Sequence, residues 1–144
     1  MAETYREMIR RHQKEVDAFP IGAAFTMKQF DEMMKKWGLS PKDDLDKIAS
    51  IGAGCYIRKA DKEEYHALFK RHKQEIKDAI SADSTGSGFI KDMFYYELCN
   101  HEYCITMDPE DAIYALGITV DEINNDEKLK KGFWLAEAEA RKEG

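Results

Sequence analysis

Two cysteines and a histidine lie close together in the second half of the chain, in the pattern Cys99-x-His101-x-x-Cys104. Thiolate and imidazole are ligand types that zinc prefers, so this spacing offers three ligands of a small zinc site. The pattern departs from the standard C-x2-C knuckle, and no second cysteine pair follows it. Free cysteine is among the most buried residue types. The sequence therefore favours two buried thiols with a capping histidine and no cofactor, and zinc is the alternative.

The same segment does not contain a complete catalytic signature. A cysteine and a histidine act as nucleophile and base only when they are in contact and a third group orients the base. Glu97 and His101 would share one face of a helix, but nothing in the sequence brings a thiol to them. The P-loop, nucleophile-elbow and H-E-x-x-H patterns are also absent. We therefore expect a protein that is not an enzyme.

The strongest charge asymmetry of the chain lies between Asp83 and Glu127. This stretch has eleven carboxylates and one lysine, hence a charge of −10, whereas the whole chain carries −6. Nucleic-acid affinity depends on cations that contact phosphates, so a direct nucleic-acid ligand is disfavoured. The default interpretation is a solvated face, and the next is a docking surface for a basic protein, which the interleaved aromatic residues make more plausible. A calcium site comes last, because the acids around 108–111 lack the glycine and the distal glutamate of an EF-hand loop. The predicted partner-binding residues are Tyr95, Glu97, Glu102, Asp108, Glu110 and Asp111.

Length and composition indicate an ordered protein. A chain of 144 residues, 43% hydrophobic and 35% charged, suits one domain. No apolar run is long enough to span a bilayer, and the N-terminus lacks the apolar core of a signal peptide. Three cysteines, an odd number, fit reduced thiols. We predict a cytoplasmic protein without a membrane partner, with a globular domain at 1–125 and a peripheral C-terminal helix at 126–144.

Hydrophobic periodicity and capping residues predict the fold class. Apolar residues at three- to four-residue spacing predict helices over 2–18, 26–37, 62–80 and 89–99, with shorter helices after Asp108 and Thr119. Short apolar segments that contain glycine predict one strand at 21–25 and a second at 48–59. The stretch 81–88 is expected to be a flexible loop. The expected fold is a mostly helical α+β domain with a small two- or three-stranded antiparallel sheet.

Residues 3–16 and 63–76 align at a constant offset of 60 without a gap. Glutamate, tyrosine, arginine, histidine and glutamate are identical at corresponding positions, and His12 then corresponds to His72. Coincidence is one interpretation, because amphipathic helices share a pattern. The other is a pair of helices in related environments. The histidines would then be hydrogen-bonded core residues, or a paired pH switch or metal site.

The segment FIKDMFYYELCNHEYCIT at 89–106, followed by Asp108 and by ALGIT at 115–119, resembles a family of small uncharacterised proteins. The family is associated with prophages and mobile elements of anaerobic gut bacteria. The resemblance covers most of 1–125 and is most specific over 89–119. It brings no activity and assigns no functional residue. It implies a context in which small phage genes often encode proteins that bind and block host machinery.

The leading hypothesis is therefore a non-enzymatic interaction protein of phage or mobile-element origin. Its acidic surface would dock a basic host protein, with a nucleic-acid-binding defence enzyme as one such target. One alternative is a small zinc or thiol protein that uses Cys99, His101 and Cys104. Another is a homo-oligomeric scaffold that associates through the C-terminal tail. That contact would use Leu129, Phe133, Trp134 and Ala140.

Overall fold

The computed structural model describes residues 2–142, which form eight α-helices and a three-stranded antiparallel sheet. The structure is 66% helical and has one small antiparallel sheet, so the predicted α+β class is confirmed. Short 3-10 turns occupy Leu45–Lys47 and Lys59–Asp61. The elements in chain order are α1 (Tyr5–Ala18), β1 (Gly22–Ala23), α2 (Met27–Lys36), β2 (Ile48–Gly52), β3 (Cys55–Arg58), α3 (Lys62–Ala82), α4 (Phe89–Asn100), α5 (Tyr103–Thr106), α6 (Glu110–Ala115), α7 (Val120–Asn124) and α8 (Glu127–Arg141).

The chain divides into two compact units. Unit 1 comprises the residues up to 12 and those from 73 onward, and unit 2 comprises residues 13–72. The boundary falls inside α1 and α3, so each of these helices contributes to both units. The domain boundary predicted after residue 125 stays a prediction. Within residues 2–142, no helix combines the length and the apolarity that crossing a bilayer requires.

Unit 2 is built on the small sheet, whose strand order is β1-β3-β2 with both pairs antiparallel. The prediction of a single strand over 48–59 is wrong, because this segment folds back on itself as the β2–β3 hairpin. The reversal uses three successive residues with positive φ, namely Gly52 at 93°, Ala53 at 53° and Gly54 at 73°. Because glycine has no Cβ, the two glycines adopt this conformation without a steric clash, and the reversal is little strained.

Helix α2 begins and ends where its sequence predicts. The Thr26 hydroxyl accepts a hydrogen bond from the Gln29 N–H at 3.1 Å, and Gly38 follows the helix with a φ of 71°. One face of α2 places Met34, which is fully buried, against the sheet core. Strand β1 approaches α2 closely at Gly22, where an added Cβ would lie 2.4 Å from the Met33 sulfur and would force that side chain to move.

Unit 1 is organised around α4, the most buried helix of the structure. Its inward face carries Ile90, Met93, Phe94 and Leu98, each at most 1% exposed. Helix α8 packs against it, with the Phe94 and Phe133 rings edge to face at 5.3 Å between centroids. Leu129, Phe133 and Ala140 of the C-terminal tail therefore face the core. Trp134 is the member of the predicted tail contact that stays 60% exposed.

The loop before α4 is held by Asp83. Its carboxylate accepts hydrogen bonds from the backbone N–H groups of Thr85, Gly86, Gly88 and Ile90, at 3.0 to 3.2 Å. Partial burial raises the pKa of Asp83, but the backbone donors outweigh it and leave the pKa below its ordinary value. The glycine- and serine-rich stretch predicted as a flexible loop is thus a hydrogen-bonded entry to α4.

The internal repeat makes equivalent contacts in the two units. In unit 1, Arg11 pairs with Glu75, and His12 Nε2 lies 3.5 Å from the same carboxylate. In unit 2, the residues offset by 60 do the same: Arg71 pairs with Glu15, and His72 Nε2 lies 2.7 Å from Glu15. Both histidines are 6% exposed. The shared contacts favour the interpretation of the alignment as a structural repeat over coincidence.

The repeat predicts a specific acid sensitivity. Hydrogen bonds from Arg71 and His72 lower the pKa of Glu15 from 4.5 to about 2. A lowered folded-state pKa contributes stability that is present above pH 4.5 and is lost as the pH falls through 2. Between pH 5 and pH 2 we expect the free energy of unfolding of Glu15→Gln to fall less than that of the wild type, in urea titrations followed by circular dichroism. Arg71→Gln should likewise make the free energy of unfolding less dependent on pH. If the free energies of the wild type and the variants fell in parallel with pH, Glu15 would not be the group responsible.

The loop before α4 predicts a large effect at one glycine. Gly86 has a φ of 86°, and a Cβ there would lie 2.3 Å from the carbonyl oxygen of Lys128. We expect Gly86→Ala to lower the free energy of unfolding by about 3 kcal/mol or more, from left-handed strain plus backbone overlap. Gly117→Ala is the matched control, because its φ is 70° but no atom lies within 4 Å of its Cβ position. It should cost only about 1 kcal/mol. Equal losses would remove the steric argument.

Candidate functional site

Glu97 lies in the interior of unit 1 rather than on the predicted docking surface. Its side chain is on the buried face of α4, and the residue is 8% exposed. The Tyr5 hydroxyl donates a hydrogen bond to Glu97 Oε1 at 2.9 Å, and His101 Nε2 lies 3.3 Å from Oε2. Burial, and then the Glu97 carboxylate, raise the pKa of Tyr5. Glu97 therefore joins α1 to the end of α4 and orients His101.

A one-turn helix with unusual ends follows α4. Helix α5 is bracketed by Glu102 and Met107, two residues other than glycine in the left-handed region, with φ of 59° and 60°. Left-handed backbone at such residues costs free energy and is maintained only where the surroundings impose it. The turn buries Tyr103, which is 1% exposed, and leaves Ile105 77% exposed.

Tyr103 fixes this turn to α8. Its hydroxyl donates a hydrogen bond to Glu137 Oε2 at 2.7 Å and accepts one from Arg141 Nε at 3.2 Å. A buried hydroxyl needs such partners, because leaving it unsatisfied costs stability. The contact determines which side of α5 faces inward, and hence that Ile105 points outward.

The remaining predicted acidic residues lie on the surface. Glu102, Asp108, Glu110 and Asp111 are all exposed. Asp108 accepts a hydrogen bond from the Glu110 N–H at 3.0 Å, which is the helix-start role expected of it at α6. Tyr95 is partly buried and lines a small groove of about 220 Å³. The other lining residues are Ser87, Gly88, Lys91, Asp92 and Glu139.

Exposed apolar side chains accompany these acids, and sequence reasoning did not assign them to the site. Between residues 102 and 122 the chain has no lysine, arginine or histidine, and all six carboxylates are exposed. Four large apolar residues in the same range are also exposed: Ile105, Met107, Tyr114 and Val120, at 77%, 51%, 87% and 56%. We call residues 102–122 the acidic–apolar segment. Tyr114 was detectable from the sequence, because it falls off the Ala112, Ile113 and Leu116 stripe of α6.

The predicted zinc ligands occupy different local settings. Cys99 is exposed at the end of α4, Cys104 is partly buried in α5, and His101 is engaged with Glu97. The remaining cysteine, Cys55, lies in β3 of unit 2. Within residues 2–142, no group of three or more histidine, cysteine, aspartate or glutamate side chains is arranged to hold a metal ion. The zinc hypothesis therefore stays a prediction without a geometric site.

Comparison with known proteins identifies the family. A family model described as a family of unknown function, DUF7659, matches residues 4–139, and the chain belongs to that family. The match agrees with the expected membership of an uncharacterised family and extends into α8. No curated protein and no solved structure matches the chain.

The hydrogen bonds of Tyr103 predict a stability effect at the base of the acidic–apolar segment. Tyr103→Phe removes the hydroxyl that Glu137 and Arg141 share, so we expect the free energy of unfolding to fall by about 1 kcal/mol. Tyr114→Phe removes a hydroxyl from a residue that is 87% exposed and should have almost no effect. Urea denaturation at neutral pH measures both. A Tyr103→Phe variant as stable as the wild type would show that the hydrogen bonds do not hold the turn.

Proposed function

We propose that the protein is a non-enzymatic interaction protein whose acidic–apolar segment docks on a basic surface of another protein. The observation that carries the proposal is the composition of that segment: six exposed carboxylates, no cation and four exposed large apolar side chains within 21 residues. A solvated face explains the acids, but it does not require the apolar residues. Interfaces combine both, because charges steer the encounter while apolar anchors supply affinity.

The geometry of α5 supports Ile105 as the central anchor. Its side chain is 77% exposed on a turn held from below by the Tyr103 hydrogen bonds. A rigidly presented side chain loses little conformational entropy on binding, which favours affinity. Glu102 precedes it, and Met107 and Asp108 follow it closely in the chain, so the anchor is flanked by charge. The expected partner surface therefore offers an apolar pocket surrounded by lysine and arginine.

The partner class and the biological setting are further parts of the proposal. Proteins that bind nucleic acids carry clustered cations for the phosphates, and an acidic surface can occupy that cluster. A nucleic-acid-binding defence enzyme of a host is one target of this kind. Phage or mobile-element origin and action in the cytoplasm complete the proposal. They are supported by the sequence resemblance over 89–119 alone.

A second candidate is self-association through α8. It is favoured by Trp134 and Leu135, which are 60% and 38% exposed on this helix. Lys130 lies over the Trp134 ring at 5.1 Å, which covers part of one ring face. Sedimentation equilibrium of the wild type and Trp134→Ser tests it: an oligomer that dissociates in the variant supports this contact, and a monomeric wild type excludes it.

The docking proposal predicts that binding depends on the carboxylates of the acidic–apolar segment and not on the net charge of the protein. The test variant carries Glu102→Gln, Asp108→Asn, Glu110→Gln and Asp111→Asn. The control carries Asp31→Asn, Asp46→Asn, Glu63→Gln and Glu64→Gln, four exposed carboxylates of unit 2. Both variants change the net charge from −6 to −2, so a difference between them reports position. Each tagged protein captures partners from a host-type lysate and is eluted with a salt gradient. We expect a basic protein on the wild type and the control, released by salt, and none on the test variant; equal capture by all three contradicts docking.

The apolar contribution is separable from charge. We expect Ile105→Ala to weaken binding of the captured protein by about tenfold or more, as anchor residues do, with the salt dependence unchanged. Leu45→Ala is the control, because Leu45 is 55% exposed in unit 2 and should leave the affinity unchanged. Titration calorimetry at two salt concentrations measures both. Unchanged affinity in Ile105→Ala would show that Ile105 is not an anchor and that the contact is electrostatic.

A further inference from the structure

A groove in unit 2 runs between the edge strand β1 and helix α2. It has a volume of about 380 Å³. One wall consists of successive residues of β1 and its flanks, and the other consists of positions three and four residues apart on α2. The lining residues are Ile21, Gly22, Ala23, Phe25, Gln29, Glu32, Met33 and Lys36. The wall of α2 runs from Gln29 to Lys36, seven steps of about 1.5 Å, so the groove is about 10 Å long. This gives room for about three residues of an extended chain.

The strand wall presents a free backbone edge. Strand β1 is at the end of the sheet order β1-β3-β2, so only one of its sides is paired. The Ala24 N–H donates to the Gly54 carbonyl at 2.9 Å, and Ala23 is opposite Cys55. In an antiparallel ladder, hydrogen-bonded and non-hydrogen-bonded pairs alternate. Ala23 is therefore in a non-hydrogen-bonded pair, and its N–H and C=O point away from β3, on the edge where Ala23 lines the groove.

The neighbouring edge group is already used. The Phe25 N–H donates to the Gln29 side-chain oxygen at 2.7 Å, which closes the edge at that end. Phe25 as a whole is 74% exposed there. Ala23 therefore supplies one donor and one acceptor in a defined position, beside an apolar ring. A donor and acceptor pair of this kind is what the backbone of an added strand recognises.

The helix wall adds a charge pattern. Glu32 and Lys36, both exposed, are one helical turn apart, which places their positions about 6 Å apart along α2. Side chains two residues apart on one face of an extended peptide are separated by a similar distance, about 6.6 Å. A basic and an acidic side chain at such positions match the two charges of the groove. An extended peptide that runs along α2 with opposite charges two residues apart would match this spacing.

We propose that the groove between β1 and α2 binds an extended peptide segment of a partner protein. The peptide adds as a strand to Ala23, with its basic side chain toward Glu32 and its acidic side chain toward Lys36. The site lies wholly within unit 2. It does not depend on the acidic–apolar segment of unit 1, so either proposal can fail without the other.

The test uses the full chain and synthetic fluorescein-labelled hexapeptides in anisotropy titrations. Three valine- and threonine-rich peptides carry lysine then glutamate, glutamate then lysine, or two glutamines at positions three and five. We expect one charge order to bind about tenfold more tightly than the glutamine peptide. Methylating the three central amides one at a time should abolish binding at one of them. Absence of binding by all three peptides at about 1 mM, or equal binding by the methylated peptides, overturns the proposal.

Protein variants locate the site. Ala23→Pro removes the outward N–H, and an edge strand tolerates proline where its N–H faces outward. Ala23→Thr keeps the N–H and is the matched control. We expect binding to be lost in Ala23→Pro and kept in Ala23→Thr, and the paired exchange Glu32→Lys with Lys36→Glu to invert the preferred charge order. Equal loss in both Ala23 variants, or an unchanged charge preference, overturns the assignment. The amide-methylated peptides on the wild-type chain keep the test decisive if Ala23→Pro unfolds.

Discussion

Helices α4 and α8 approach so closely at Gly132 that a Cβ there would lie 2.5 Å from Ile90 and 2.6 Å from the Gly86 carbonyl oxygen. Close packing of this kind holds a structure in one arrangement, because interiors do not deform continuously. The contact fixes the loop that Asp83 ties to the start of α4. It also positions the C-terminal part of α8, where Glu137 and Arg141 form hydrogen bonds with the Tyr103 hydroxyl.

The acidic–apolar segment is attached to this helix pair at both of its ends. Tyr103 binds α8 at the beginning of the segment, and α7, with buried Ile123, packs on α8 at its end. The polar groups that face inward have partners, since Tyr5 bonds to Glu97 and Tyr103 to Glu137. Such hydrogen bonds offset the cost of burying polar groups. The carboxylates of the segment remain outside, next to apolar side chains that the core does not use.

Local signals in the sequence predicted the helices well. Thr26, Thr119 and Asp126 each accept backbone hydrogen bonds at a helix start, as their residue types indicate. The hairpin at 52–54 was missed because its apolar flanks read as one continuous strand. The left-handed Glu102 and Met107 could not be predicted, since neither residue type favours that conformation. Both residues flank the turn that Tyr103 joins to α8 by hydrogen bonds.

The candidate site was only partly predictable, because the sequence indicates which residues are polar but not which distant residues they contact. Acidic residues are expected at the surface, so Glu102, Asp108, Glu110 and Asp111 could be assigned from composition. Glu97 could not, because its hydrogen-bond partner, Tyr5, is 92 residues away in the chain. Ile105 is exposed because of the way α5 is oriented. That orientation depends on the long-range hydrogen bond between Tyr103 and Glu137 of α8.

Amide hydrogen exchange on the complex with the captured basic protein tests the docking account most directly. Exchange reports backbone protection residue by residue, so it locates the contact without assuming which side chains bind. The account predicts that slowed exchange on complex formation is concentrated within residues 102–122, with the turn at 103–107 most affected. Protection confined to other parts of the chain, with unchanged exchange in 102–122, would contradict it.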